Sequence, residues 1–475
     1  MRFAVLIGAH ERDNFGDIAS SAIMARVLRP LPTVNASILS RDIRHLGGNF
    51  VVAARALKLI PRQLGSANAI VFFGGETLAC DARGGLAMNL AEREAGVFVR
   101  LKRDNQARAF ETMTAGDFES PAYVMPADDV LPRWNKDAPI IYHSVGGTEL
   151  ASFVKRGDHR RTVEAHLKQA SSISVRDGRT RALLSQLFGI RAQMFPDSAF
   201  ALQHVLGDDI AVAAETEPVR AMRALGPYLV FQASARFLRA TGLARAAARI
   251  GEIAEQMRVS VVLQPAGTAW GHDDVKQLTH LGALIAKARP RIRTVVQPDR
   301  RFLVQAAVIA KAVVWIGTSL HGRIAAMSMR VPAVSFENAK IKATVETWED
   351  EPLPYDVTWD RLAEATGAAV RTDPARLDGL ASRLEEESLK GLQHVRALAL
   401  AGAPSEQDED SENLLEIMVA SLAEENETLR LENFKLLEQI AYPTQTQRIM
   451  HRILQSARWR LGAPLRLASR FLSGG

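Results

Sequence analysis

Residues 312–336, AVVWIGTSLHGRIAAMSMRVPAVSF, constrain this chain more than any other stretch. The apolar run 312–316 stops at Gly317, the pattern of a strand buried on both faces. A polar corner follows, with Thr318, Ser319, His321 and Arg323 close together, and apolar residues return at helical spacing from Ile324. Val331 and Pro332 end that helix, and 333–336 read as the next strand. A strand–loop–helix–strand unit of this kind belongs to an open parallel α/β sheet, where ligands bind beyond the carboxyl ends of strands. A helix start placed there offers free N–H groups and a positive dipole end. The corner suits an anion.

The same grammar recurs along the chain. Strands are expected at 2–8, 69–73, 139–145 and 172–175, and again at 228–232, 260–264, 293–296, 312–316 and 333–336, with a helix over 239–257. The simplest architecture is α/β: two Rossmann-like domains, 1–205 and 225–372, facing a cleft, with a helical segment 373–400 packing back on the body. Several strand ends carry candidate site residues. Asn14, Gly16 and Asp17 make a tight turn and an N-cap after the first strand, and fit a plain turn as well as a ligand loop. The stretch is not GxGxxG, so the dinucleotide fingerprint is absent. Gly74 and Gly75 permit positive φ or close backbone approach, as a simple loop or as a cradle for phosphate or carboxylate. His143 is either a core histidine or a functional one. Arg176 ends a strand from which a guanidinium reaches over the sheet edge, while Asp177 suits a helix cap. Asp197 is either a cap or the partner of a basic ligand-binding group. His272, Asp273 and Asp274 read as an N-cap cluster more readily than as metal ligands, and no metal is assigned. Residues 80–137 show no clear period; so long a crossover often forms a lid or an acceptor surface.

Charge separates the body from the tail. The chain carries 59 basic and 53 acidic residues. Residues 441–475 hold six arginines and no carboxylate, so the rest is balanced, and a general nucleic-acid-binding surface is not indicated. A single cysteine, Cys80, excludes an internal disulfide and favours a reducing, cytoplasmic setting. No run approaches the ~20 apolar residues of a membrane span. Residues 401–411 form an acidic linker. In 412–440, Leu415, Leu422, Leu429 and Leu436 fall seven apart, with Asn426 and Asn433 at the alternate core positions, which favours a two-stranded coiled coil and a homodimer. The basic amphipathic tail 441–475 suits an anionic membrane surface or an acidic partner.

Taken together, the segments Asn14-Phe15-Gly16-Asp17, Gly74-Gly75-Glu76, Ser174-Val175-Arg176-Asp177, Pro196-Asp197-Ser198-Ala199-Phe200 and Ser319-Leu320-His321, the last followed by Val331-Pro332, resemble the polysaccharide pyruvyl transferase family across roughly residues 10–340. The resemblance implies two Rossmann-like domains similar to B-type glycosyltransferases, phosphoenolpyruvate as donor, no further cofactor, and a saccharide acceptor that receives the pyruvyl unit as a cyclic ketal. By position it implies that Arg176 and His321 meet the donor, with His143 a looser match. Two residues depart from the family pattern: Ser319 where arginine is common, and Glu76 where a third glycine is frequent. Arg323 is a candidate to replace the missing charge. His321 suits acid/base work or phosphate binding. A nucleotide-sugar glycosyltransferase and a non-catalytic glycan-assembly scaffold are the competing expectations.

Overall fold

The computed structural model describes residues 3–37, 55–56, 67–114, 118, 121–123, 138–155 and 159–401. The acidic linker, the heptads and the basic tail lie outside the described residues. Two fully parallel sheets organise the rest. The first holds β1 (Ala4–Ile7), β2 (Thr33–Ser37), β3 (Arg55–Ala56), β4 (Ala69–Phe73), β5 (Ile140–Val145), β6 (Ser172–Val175) and β7 (Gln193–Met194), in the order β3-β2-β1-β4-β5-β6-β7. The second holds β8 (Tyr228–Gln232), β9 (Ser260–Leu263), β10 (Thr294–Val296), β11 (Val314–Gly317) and β12 (Ala333–Ser335), in the order β10-β9-β8-β11-β12. Both are doubly wound, with switch points between β1 and β4 and between β8 and β11. Those two corners are where such folds receive ligands.

The central strands are apolar throughout because both faces are covered, so β1, β4, β8 and β9 are buried at every position. The short strands β2, β3 and β7, at or next to the sheet edges, escape a sequence reading because two to five residues carry no clear period. One apolar cluster crosses from sheet to sheet through the helices Phe15–Val27, Leu202–Ala214, Phe302–Ala310 and Leu320–Ser328. The helix Pro374–Leu400 packs back on β4 and β5, and His394 Nε2 lies 3.1 Å from Ser172 Oγ at the start of β6.

Three expectations change. The helix expected over 239–257 is two, Ala235–Thr241 and Leu243–Met257, because Gly242 adopts φ +84° between them. The crossover after β4 is not patternless: Ala82–Asn89, Glu92–Phe98 and Arg103–Met113 are helices around their own core of Leu86, Phe98, Phe110 and Met113. They are short and interrupted by Gly84, Gly85 and Gly96, which hides their period. Finally, the helix after β11 begins at Leu320 rather than Ile324, because the Ser319 side chain caps it by accepting from Gly322 N at 3.2 Å. That shift decides which way His321 and Arg323 point.

Candidate active site

A cleft of about 660 Å³ lies between the sheets and is lined from the carboxyl ends of strands on both sides. On the first side, Asn14 caps the helix Phe15–Val27 by accepting from Gly16 N at 3.2 Å. Asp17, in its first turn, accepts from Arg12 Nε at 3.1 Å and Nη2 at 3.0 Å. Burial pushes the Asp17 carboxyl up, but Arg12 and then His321 bring it below its usual range. On the other side, the Gln232 amide ties two loops. Its oxygen accepts from Thr318 N at 3.0 Å and Ser319 N at 2.9 Å, and its nitrogen donates to both oxygens of Asp273 at 2.9 Å.

The two sides meet at His321. Its Nε2 lies 3.3 Å from Asp197 Oδ2, which also accepts from Arg176 Nη1 at 3.0 Å. Arg176 Nη2 in turn donates to Glu76 Oε1 at 2.7 Å, and Glu76 Oε2 accepts from Thr148 N at 2.9 Å and Thr148 Oγ1 at 3.0 Å. Burial would raise Asp197, but the His321 imidazole and then Arg176 hold it far below the carboxylate range. A carboxylate kept ionised beside an imidazole orients the ring. The ring also lies flush against Gly16: a Cβ at that position would overlap it, so glycine is what lets the lobes close here.

Asn14, Asp17, Gly75, Arg176, Ser319 and His321 all line the cleft, and Gly16 packs on His321. Besides Gly16, three residues proposed from sequence do not line it. Gly74 keeps a positive φ of +57° but turns toward Ser20, leaving the wall to Gly75. Arg323 lies two residues after His321, about 200° away around a helix, and so faces the opposite side. There its guanidinium forks onto Glu349 at 3.1 and 2.7 Å and also reaches Ser335 Oγ, Leu353 O and Pro354 O. It is a core residue. His143 is buried against Phe195 and His394, with Ser174 Oγ 3.4 Å from its Nδ1, under the helix Pro374–Leu400.

Burial, aided by nearby His394, lowers His143 to about 4, and burial does the same to His10 beneath Phe73. Both are neutral in the folded state below the ordinary value of 6.5, while the unfolded chain takes up protons there. The contribution of these two rings is therefore full above pH 6.5 and falls as pH drops toward 4, by up to about 3 kcal/mol for each ring. Denaturant midpoints measured between pH 7 and 4 should show this slope, and His143→Phe should flatten it.

Sequence reasoning missed Arg12, Gln232 and Lys340 as cleft residues. Lys340 sits in the first turn of the helix Ala339–Trp348, just beyond β12, where the strand-end rule points. Its ammonium makes no hydrogen bond or ion pair among the described residues; burial lowers its pKa, with Glu76 acting the other way. In the acidic loop only Asp274 acts as a helix cap, on the helix Val275–Ala288, while Asp273 accepts from Gln232 and Ala266 N. Asp273 is pushed up to about 7 by burial. Among the described residues no group of three or more His, Cys, Asp or Glu could hold a metal ion, and no helix is long and apolar enough to cross a membrane.

The fold is that of two facing doubly wound domains with a cleft between them. The UDP-GlcNAc 2-epimerase of Neisseria meningitidis shares it, with a TM-score of 0.50 at 10% identity over 85% of this chain and 100% of that one. The UDP-GlcNAc 2-epimerase of Methanocaldococcus jannaschii (TM-score 0.45, 11% identity, 79% and 94% covered) and a trehalose-phosphate synthase of Burkholderia xenovorans (0.45, 13%, 84% and 98%) are also similar. No curated protein matches the sequence. The chain belongs to the polysaccharide pyruvyl transferase family, whose model matches residues 14–340 and so takes in the whole strand-end set from Asn14 to Lys340.

Proposed function

We propose that this transferase moves the pyruvyl unit of phosphoenolpyruvate onto a saccharide as a ketal. The observation that carries this is the pairing of an unpartnered ammonium, Lys340, with the start of the helix Leu320–Ser328 in the same cleft. The donor has a phosphate and a carboxylate, and these are two separate places for anions. The enol carbon must gain a proton while the acceptor oxygens bond to C2 and phosphate leaves. His321, steadied by Asp197, is the group that gives that proton. Arg176 acts mainly through Asp197, since both its terminal nitrogens are taken by carboxylates. The remaining cleft, with Phe237 and exposed Glu149 and Glu337 at its rim, is left for the saccharide.

Melting curves of the full chain with phosphoenolpyruvate, set against sugar nucleotides, test the donor, because a ligand at 100 Kd stabilises by about 2.7 kcal/mol. Phosphoenolpyruvate is expected to raise the melting temperature. Lys340→Met should weaken that binding by about 10–100-fold, the worth of one charge-assisted hydrogen bond, and Lys340→Arg should restore part of it. One observation favours the second reading, a nucleotide-sugar transferase: Glu337 supplies, beside β12, a carboxylate able to hold ribose hydroxyls. Stabilisation by sugar nucleotides alone would establish that reading instead. On the first reading, the heptads of 412–440 pair two copies and the tail 441–475 rests on an anionic surface.

A further inference from the structure

Ketal formation moves more protons than one imidazole handles. The donor's C3 gains a proton, and two acceptor hydroxyls each lose one as their oxygens bond to C2. The C2–O bond to phosphate breaks, so one hydroxyl proton is balanced by that delivered to C3 and the other leaves with phosphate. His321 is suited to deliver, because Asp197 Oδ2 at 3.3 Å from its Nε2 holds the ring in place in the cleft. Something else must receive.

The buried carboxylates of the cleft are already committed. Asp17 is held in the fork of Arg12, Glu76 by Arg176 and Thr148, and both oxygens of Asp273 accept from Gln232. Asp274 caps its helix. His272, the remaining polar member of the GHDD stretch, is different. Its backbone is pinned at both ends, its N–H donating to Ala269 O at 2.9 Å and its carbonyl accepting from Ala235 N at 3.0 Å. Its ring lines the cleft and has no hydrogen bond among the described residues. We propose that His272 is the general base that removes the proton from the attacking acceptor hydroxyl, working opposite His321. This rests on the reading of the chain as a phosphoenolpyruvate-dependent transferase.

The charges around the ring agree with the role. Arg12, Asp17, Lys340 and His321 are the charged and titratable groups that face it. Burial and then Arg12 lower it to about 3, so the ring is unprotonated at neutral pH. A bound donor anion offsets Arg12 and Lys340 and raises its affinity for a proton as the reaction proceeds. Two imidazoles in unlike settings, one held by a carboxylate and one without a hydrogen-bond partner among the described residues, suit separate proton-transfer roles.

The test uses the full chain, phosphoenolpyruvate and a panel of methyl glycosides, with phosphate release and the pyruvyl mass increment as readouts. His272→Gln is expected to lower kcat by at least about a hundredfold, with KM for phosphoenolpyruvate and the donor-induced melting shift unchanged. His272→Gly should regain activity with added imidazole, which a merely structural histidine would not allow. Melting temperatures control for folding, with His272→Asn as the substitute if glutamine disturbs the loop. Undiminished turnover of His272→Gln, a loss confined to donor binding, or no imidazole rescue overturns the assignment and leaves the donor reading standing. A wild-type chain that releases no phosphate with any glycoside overturns both together.

Discussion

His321→Gln is expected to lower pyruvyl transfer by about 10²–10⁴-fold, the range that a positioned acid or base contributes. Glutamine keeps a polar group near Asp197 but carries no exchangeable proton of useful acidity, so it isolates proton transfer from packing. The melting shift induced by phosphoenolpyruvate should survive, because Lys340 and the helix start remain. Asp197→Asn should act on kcat through the same ring and with a smaller loss, since asparagine still reaches the ring but meets neither it nor Arg176 Nη1 as an ion. Steady-state kinetics alongside melting curves separate the two roles open to the histidine. A variant that loses donor binding in parallel with kcat makes His321 a phosphate ligand; normal turnover removes it from the chemistry.

The cleft is less cationic than its arginines suggest. Arg12 is matched by Asp17, and Arg176 by both Glu76 and Asp197. Glu76 stands where the family pattern often has glycine, and it spends half of a guanidinium that could otherwise meet the donor. On the proposed function, anion recognition then falls to Lys340, backbone dipoles and Arg236, which also lines the cleft. This places the specificity of the site in groups that cannot be read by counting arginines.

Much of this was legible in the residues because buried parallel strands are uniformly apolar and end in polar corners. β4, β6 and β8 begin and end where their runs do, and the strand ends deliver Asn14, Asp17, Gly75, Arg176, Ser319 and His321 to one cleft. What failed was direction. Whether His321 and Arg323 share a face depends on where the helix starts, and Ser319 reads equally well as a ligand group or a cap until its hydroxyl is seen on Gly322 N. His143 has the same alternating position as a cleft residue, but the register of β5 against β6 breaks between Tyr142 and Val145, and the ring lies under the returning helix. Lys340 and His272 were hidden because nothing local distinguishes an uncommitted side chain from a satisfied one. Only the three-dimensional list of partners does.

Arg323→Met is expected to destabilise the protein by about 3–5 kcal/mol while leaving the turnover of the folded molecules near normal. The side chains of Arg323 and Glu349 are each only 1% exposed, and all five guanidinium N–H donors have acceptors: Glu349 twice, Ser335, Leu353 and Pro354. Removing the arginine strands a buried carboxylate whose remaining bond is from Leu353 N at 3.2 Å. The second substitution, Glu349→Leu, takes that charge away, and the double variant should recover most of the loss, short of the Leu353 carbonyl left without its donor, since Pro354 O keeps Ser335 N at 3.0 Å. Denaturant unfolding of the single and double variants measures both steps. A substrate-binding arginine would behave in the opposite way, with stability kept, kcat/KM lost and no rescue from changing Glu349.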